Sequence, residues 1–149
     1  MGRVGASLQI PYPADDVFRV ATRVEDMPRW LPDVQAAELL DPVFTVGSRV
    51  RLKMGASAAG TELIGTVRQM RAPTILAIGG SAGPLTVEVR TRLDAVSPTA
   101  TRMVLEIEVG ASPLLGFVAR EAERRINAEL PAALERFKSL MAAEAAELA

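Results

Sequence analysis

The chain has 149 residues, 49% of them hydrophobic, a formal net charge of −1, and neither His nor Cys. That length suits a single domain over residues 1–149 with a sizeable core; the missing Cys excludes disulfides and thiol chemistry, and no apolar run approaches the ~20 residues of a membrane span. Charges alternate in sign and aromatic residues make up 4%, which opposes a nucleic-acid partner, since that needs a concentrated basic face or stacking rings.

Residues 3–10 alternate Val4, Ala6, Leu8 and Ile10 with Arg3, Gly5, Ser7 and Gln9, the period of two of a half-buried strand. Pro11 and Pro13 end it and also break any secretory leader, so a soluble cytoplasmic protein is expected. Ala14, Asp15 and Asp16 open a helix whose acidic first turn suits the helix dipole. Val17, Phe18, Ala21 and Val24 form its apolar stripe. A second short helix is predicted near Asp26–Trp30, with Pro28 in its first turn.

From Val34 to Val109 the pattern is sheet. Strands are predicted at 34–40, 48–55, 61–71, 74–79, 84–96 and 100–109, divided by DPVFTVG, GASAAG, RAP, GGSAGP and SPT, all of them turn chemistry. Their even spacing predicts an antiparallel meander. Leu85, Val87, Val89, Thr91 and Leu93 share one face, as do Met103, Leu105, Ile107 and Val109. Pairing of these two strands brings Arg90 and Arg92 near Glu106 and Glu108 on an outer, solvated face. A long helix follows from about Pro113 to Glu147. Leu115, Val118, Ala122, Ile126, Leu130, Leu134, Phe137 and Met141 form its stripe, and Pro131 inside it removes the donor to the Asn127 carbonyl and predicts a bend.

The ordered set Ile10-x-x-Pro13-x-x-x-Val17-Phe18, Met27-Pro28-Arg29-Trp30-Leu31-Pro32, Val46-Gly47-Ser48, Gly65-Thr66-Val67, Ala72-Pro73 and Thr101-Arg102-Met103 resembles the START-like (SRPBCC) superfamily. This is the polyketide cyclase/dehydrase and lipid-transport group, which shares its fold with the birch-pollen allergen. The resemblance covers essentially the whole chain. It implies an α+β helix-grip fold: a curved antiparallel sheet of about seven strands around a long C-terminal helix, with two short helices after the first strand and a ligand cavity between sheet and helix. Such a fold hosts carriers, hormone binders, cyclases and chaperone activators, so it does not choose a function.

On that architecture the inward residues Val50, Leu52, Met54, Val67, Leu85, Val87, Val89, Thr91, Met103, Leu105 and Ile107, with Leu115, Val118, Ala122 and Ile126 of the helix, are expected to line a cavity. Phe18, Trp30 and Leu31 are placed at its mouth. The competing reading is a filled hydrophobic core, with Trp30 sealing it and Asp33 a turn residue. Gly55–Gly60 and Gly79–Gly83 read as hairpin turns, with mobile flaps the alternative. Arg120, Glu121, Glu123, Arg124 and Arg125 read as a solvated helix face, or place Arg120 or Arg125 against a ligand carboxylate.

Without His or Cys the commonest general base and most zinc sites are missing, and no metal or cofactor is expected. The favoured function is binding or transport of a hydrophobic or amphipathic small molecule such as a lipid, isoprenoid or polyketide-like compound. The alternatives are a cofactor-independent polyketide cyclase, aromatase or dehydratase and a protein-interaction module with a filled core. The expected partner is therefore the small molecule, with no nucleic acid and no integral membrane association, in a monomer or homodimer.

Overall fold

Period-two alternation builds one sheet. The computed structural model describes residues 2–54 and 62–148. Within them lie seven strands, β1 (Gly2–Ile10), β2 (Val34–Leu39), β3 (Arg49–Met54), β4 (Glu62–Arg71), β5 (Ile75–Ala82), β6 (Leu85–Ser97) and β7 (Ala100–Ala111). All pairings are antiparallel, in the order β1-β7-β6-β5-β4-β3-β2. The meander therefore runs from β2 to β7, and β1 adds beyond β7. Helix α1 (Ala14–Ala21) and a 3-10 helix (Val24–Arg29) carry the chain from one edge strand to the other. A 3-10 turn at Pro113–Leu115 leads into α2 (Gly116–Leu148). A curled sheet with a long C-terminal helix is the helix-grip arrangement.

Local chemistry sets the turns. Gly47 has φ +93°, a left-handed conformation that favours glycine. Beside it the buried Ser48 hydroxyl donates to the Val43 carbonyl (2.5 Å) and accepts from the Thr45 N–H (2.9 Å). Asp41 takes the Arg49 backbone N–H at 2.7 Å and its guanidinium at 3.0 Å. Those hydrogen bonds hold the Asp41 carboxyl below the usual carboxylate range and raise Arg49. The fully buried Thr101 hydroxyl donates to the Tyr12 carbonyl at 2.8 Å, tying the start of β7 to the turn after β1.

Three expectations need correction. β5 continues to Ala82 instead of stopping at residue 79, because Gly79, Gly80 and Ser81 carry no apolar alternation to read. Most of the Gly79–Gly83 segment is thus paired strand and not a flap; Gly83 (φ +60°) makes the turn. Gly55–Gly60 lies outside the described residues. On the outer face, register sets Arg90 opposite Glu106 but Glu88 opposite Glu108, so Glu108 meets no arginine of β6 directly across. Arg92 lies 3.9 Å from Glu106, and Arg90 lies 3.5 Å from Glu88. As expected, α2 continues through Pro131 as one element. Pro131 is on its exposed side, where the orphaned Asn127 carbonyl can turn to water. Among the described residues no helix is long and apolar enough to cross a membrane.

The sheet curls where backbones come close. Gly65 and Gly80 are cross-strand partners in β4 and β5. A Cβ on Gly80 would collide with the Ile64 carbonyl oxygen and lie 3.0 Å from the Gly65 Cα, while one on Gly65 would meet Ile78 at 2.7 Å. Backbone atoms cannot swing aside as a side chain can. Gly80→Ala is therefore expected to lower stability by about 1–3 kcal/mol, read as a fall in the urea midpoint at unchanged m-value. A midpoint equal to that of the parent would show that the strands are not so close.

Candidate functional site: a pocket under the first half of the long helix

Helix α2 is packed along only part of its length. From residue 130 onward its apolar face is buried through Leu130, Ala133, Leu134, Phe137 and Met141. The Phe137 ring meets Trp30 edge-on, with centroids 4.9 Å apart and planes at 71°, a favourable aromatic geometry. Arg136 donates to the Trp30 carbonyl at 3.1 Å. Ile10, Val17, Val20, Val50, Leu93, Met103 and Leu105 fill the same core.

The first half of α2 presents Val118, Ala122 and Ile126 at four-residue spacing, one face of a helix, and that face lines a pocket of about 380 Å³. The sheet wall is aliphatic: Leu52 and Met54 of β3, Leu63 of β4, Leu85, Val87 and Val89 of β6, and Ile107 and Val109 of β7. Leu31, Pro32, Asp33 and Val34 close the side next to β2. Phe117 borders the pocket yet is 63% exposed, and Leu114 before it is 88% exposed.

Among the described residues, charge is confined to the segments beside that wall. Glu121, Arg125 and Glu129 follow one another at four-residue spacing on α2, and Asp33 joins them from the loop. Glu121 lies 2.7 Å from Arg124 and 3.5 Å from Arg125. Asp33 has φ +58°, a left-handed conformation that Asp tolerates better than most residues; it is a turn residue and a wall residue together. Among the described residues no group of three or more His, Cys, Asp or Glu gathers to hold a metal ion.

Of the residues expected along the cavity, Leu52, Met54, Leu85, Val87, Val89, Ile107, Val118, Ala122, Ile126 and Leu31 border the pocket. Val50, Val67, Thr91, Met103 and Leu105 are buried but belong to its lining nowhere. They stand farther along the same strands, where core side chains fill the space, so Thr91 offers the pocket no hydroxyl. Leu115 sits in the 3-10 turn before α2 and does not reach the pocket. Phe18 and Trp30 are core residues, 7% and 1% exposed, and not mouth residues. Pro32, Asp33, Val34, Leu63, Val109, Phe117, Glu121, Arg125 and Glu129 border the pocket in addition to the expected set. Leu63 and Val109 are legible in the sequence, being the next members of the Leu63-Gly65-Val67 and Met103-Leu105-Ile107 alternations. Of the two arginines considered for contact with a ligand, Arg125 borders the pocket and Arg120 does not.

Comparison with solved structures supports this architecture. A protein from Thermus thermophilus superposes with a TM-score of 0.78 at 17% identity, covering 96% of this chain and 99% of that one. The Zhui aromatase/cyclase from Streptomyces sp. R1128 gives 0.75 at 18% identity, with 94% and 93% covered. A START superfamily protein from Mycobacterium smegmatis gives 0.69 at 18% identity, with 93% and 98% covered. No sequence relative of curated function matches the chain. The family described as polyketide cyclase/dehydrase and lipid transport matches residues 1–142, and the chain belongs to that family.

Proposed function

We propose that the protein binds one small hydrophobic or amphipathic molecule under the first half of α2, as a soluble cytoplasmic carrier or reservoir. The observation that carries this reading is the pocket of about 380 Å³ whose sheet side, among the described residues, is walled by aliphatic side chains. Its volume falls in the ~300–1,000 Å³ range of small-molecule sites. It holds about a dozen waters at ~30 Å³ each, room for a single chain or a compact ring system. Affinity would come from apolar burial at about 0.8 kcal/mol per methylene, and orientation from the charged groups beside the wall.

Two aromatase/cyclases share the fold: the Zhui protein and the di-domain ARO/CYC BexL, the latter at 18% identity over 93% of this chain and 46% of that one. Cyclase chemistry is the second reading, and the Arg125–Glu121 pair beside the pocket is what favours it. Guiding a polyketone, however, calls for donors or bases in reach of carbonyls along the chain. Leu52, Leu63, Val87, Val89, Ile107 and Val109 supply none, and each carbonyl against them would lose hydrogen bonds to water. Retention of an apolar guest fits this wall better than turnover.

Two measurements test binding. In a series of straight-chain alcohols, affinity by calorimetry is expected to rise about fourfold per added methylene, the equivalent of ~0.8 kcal/mol, and then level off once the pocket is full. A flat series, or no binding at any length, would sink the reading. Val89→Trp is expected to weaken the best alcohol at least about tenfold, ~1.4 kcal/mol, with little change in melting temperature. Leu105→Trp, by contrast, overfills packed core and is expected to cost about 1–3 kcal/mol of stability or more. Undiminished binding by a folded Val89→Trp protein would place the site elsewhere.

A further inference from the structure

The pocket ends at one level on helix and sheet alike. On α2, Val118, Ala122 and Ile126 border it; Leu130, next on that face at the same spacing, is fully buried and does not. On the sheet, Val89 of β6 and Ile107 of β7 stand opposite each other and border it. The next inward pair, Thr91 and Leu105, is buried outside it. Leu52 of β3 borders it and the buried Val50 does not. Over Gly65 of β4 lies the Ile78 side chain, buried and also outside the lining. The floor formed by these inner residues is at the opposite end of the pocket from Met54, where β3 stops.

Resting on the binding reading above, we infer that Leu130 is the stop that sets the longest chain the pocket accepts. The Trp30–Phe137 contact draws the second half of α2 onto the core, while the first half stands off the sheet over the pocket. Leu130 lies at the junction, one turn beyond Ile126 and two turns before Phe137. Of its face it is the first side chain to join Leu105 in the buried core. From Val118 to Ile126 the helix rises about 12 Å, the span along which a guest can lie before it meets this residue. A straight chain therefore enters to a fixed depth, and every carbon beyond that depth remains in water. Leu130 acts by occupying space, so the length of its side chain sets the limit.

The experiment follows affinity by calorimetry through the straight-chain alcohols from hexanol to tetradecanol, in the parent and in three variants. In the parent, affinity should rise about fourfold per methylene up to a break and then stay level. Leu130→Val should move the break about one carbon longer, and Leu130→Ala about two or three, matching the carbons removed. Alcohols past the parent's break should gain about fourfold for each newly admitted methylene, while shorter ones keep their affinity. Leu134→Ala, a truncation one turn deeper in the same core, should lower the melting temperature without moving the break. That control separates a stop from general loosening, and the milder Leu130→Val decides if Leu130→Ala does not fold. A parent series still rising at tetradecanol, or a break unmoved in a folded Leu130 variant, would overturn the stop while the pocket reading stands. So would a break that moves as far in Leu134→Ala. Failure of the parent to bind any alcohol would overturn the pocket reading and the stop with it.

Discussion

The contact between Trp30 and Phe137 decides where α2 lies, and the position of α2 decides where there is room. Trp30 is 1% exposed and Phe137 fully buried, and burial of two such rings supplies several kcal/mol at a single point. Arg136 adds a hydrogen bond to the Trp30 carbonyl. A 33-residue helix is a rod of ~50 Å. Held along its second half, it carries its first half over the sheet whether or not side chains meet beneath it. Beneath Val118, Ala122 and Ile126 they do not meet, because valines, leucines and an alanine are too short to span the gap. The close glycine pair Gly65 and Gly80 contributes from the opposite side, by letting the sheet curl instead of lying flat against the rod.

Much of this was legible in the residues, because the physics behind it is periodic. Alternation in Leu85–Leu93 and Met103–Val109 assigns a face, and the steps of three and four from Val118 to Met141 assign a stripe. Position along the strand is another matter. Val89 and Leu93 lie on the same face of β6, yet Val89 borders the pocket and Leu93 is core. Nothing local distinguishes them; the difference is set by Trp30 and Phe137, far apart in sequence. The same reason moves Val50, Val67, Thr91, Met103 and Leu105 from expected pocket to observed core. Gly79 and Gly80 hide the end of β5 because they have no side chains to alternate. That Asp33 and Glu129 border the pocket is hidden too, since a charged turn residue and a charged helix residue read as solvated whatever they stand beside.

Family membership and pocket chemistry answer different questions. Superposition at 17–18% identity over more than nine-tenths of the chain reflects demands any sequence of this fold must meet: paired strands and a packed C-terminal helix. Many sequences satisfy them. The pocket wall is a handful of aliphatic residues, and exchanging one for another alters its shape without disturbing a strand. The fold can therefore persist while its guest changes, and membership in a cyclase and lipid-transport family leaves chemistry to be argued from the wall. Here, among the described residues, that wall is aliphatic and offers no proton donor.

The unfilled volume also bears on stability. Because the pocket opens to solvent at its border, its aliphatic wall is hydrated wherever no guest covers it, and hydration of that apolar surface is unfavourable. Water enters where Phe117 and the charged border meet solvent, but against Leu52, Val87 and Ile107 it finds no hydrogen-bond partner. An apolar guest releases that water and restores contact on both sides of the gap. Binding and folding then draw on the same contacts, and a ligand at one hundred times its Kd adds about 2.7 kcal/mol to stability. Under the proposed binding function, the apolar wall left uncovered by a long helix over a curled sheet would itself favour occupancy, and it falls on the half of α2 that the Trp30–Phe137 anchor does not reach.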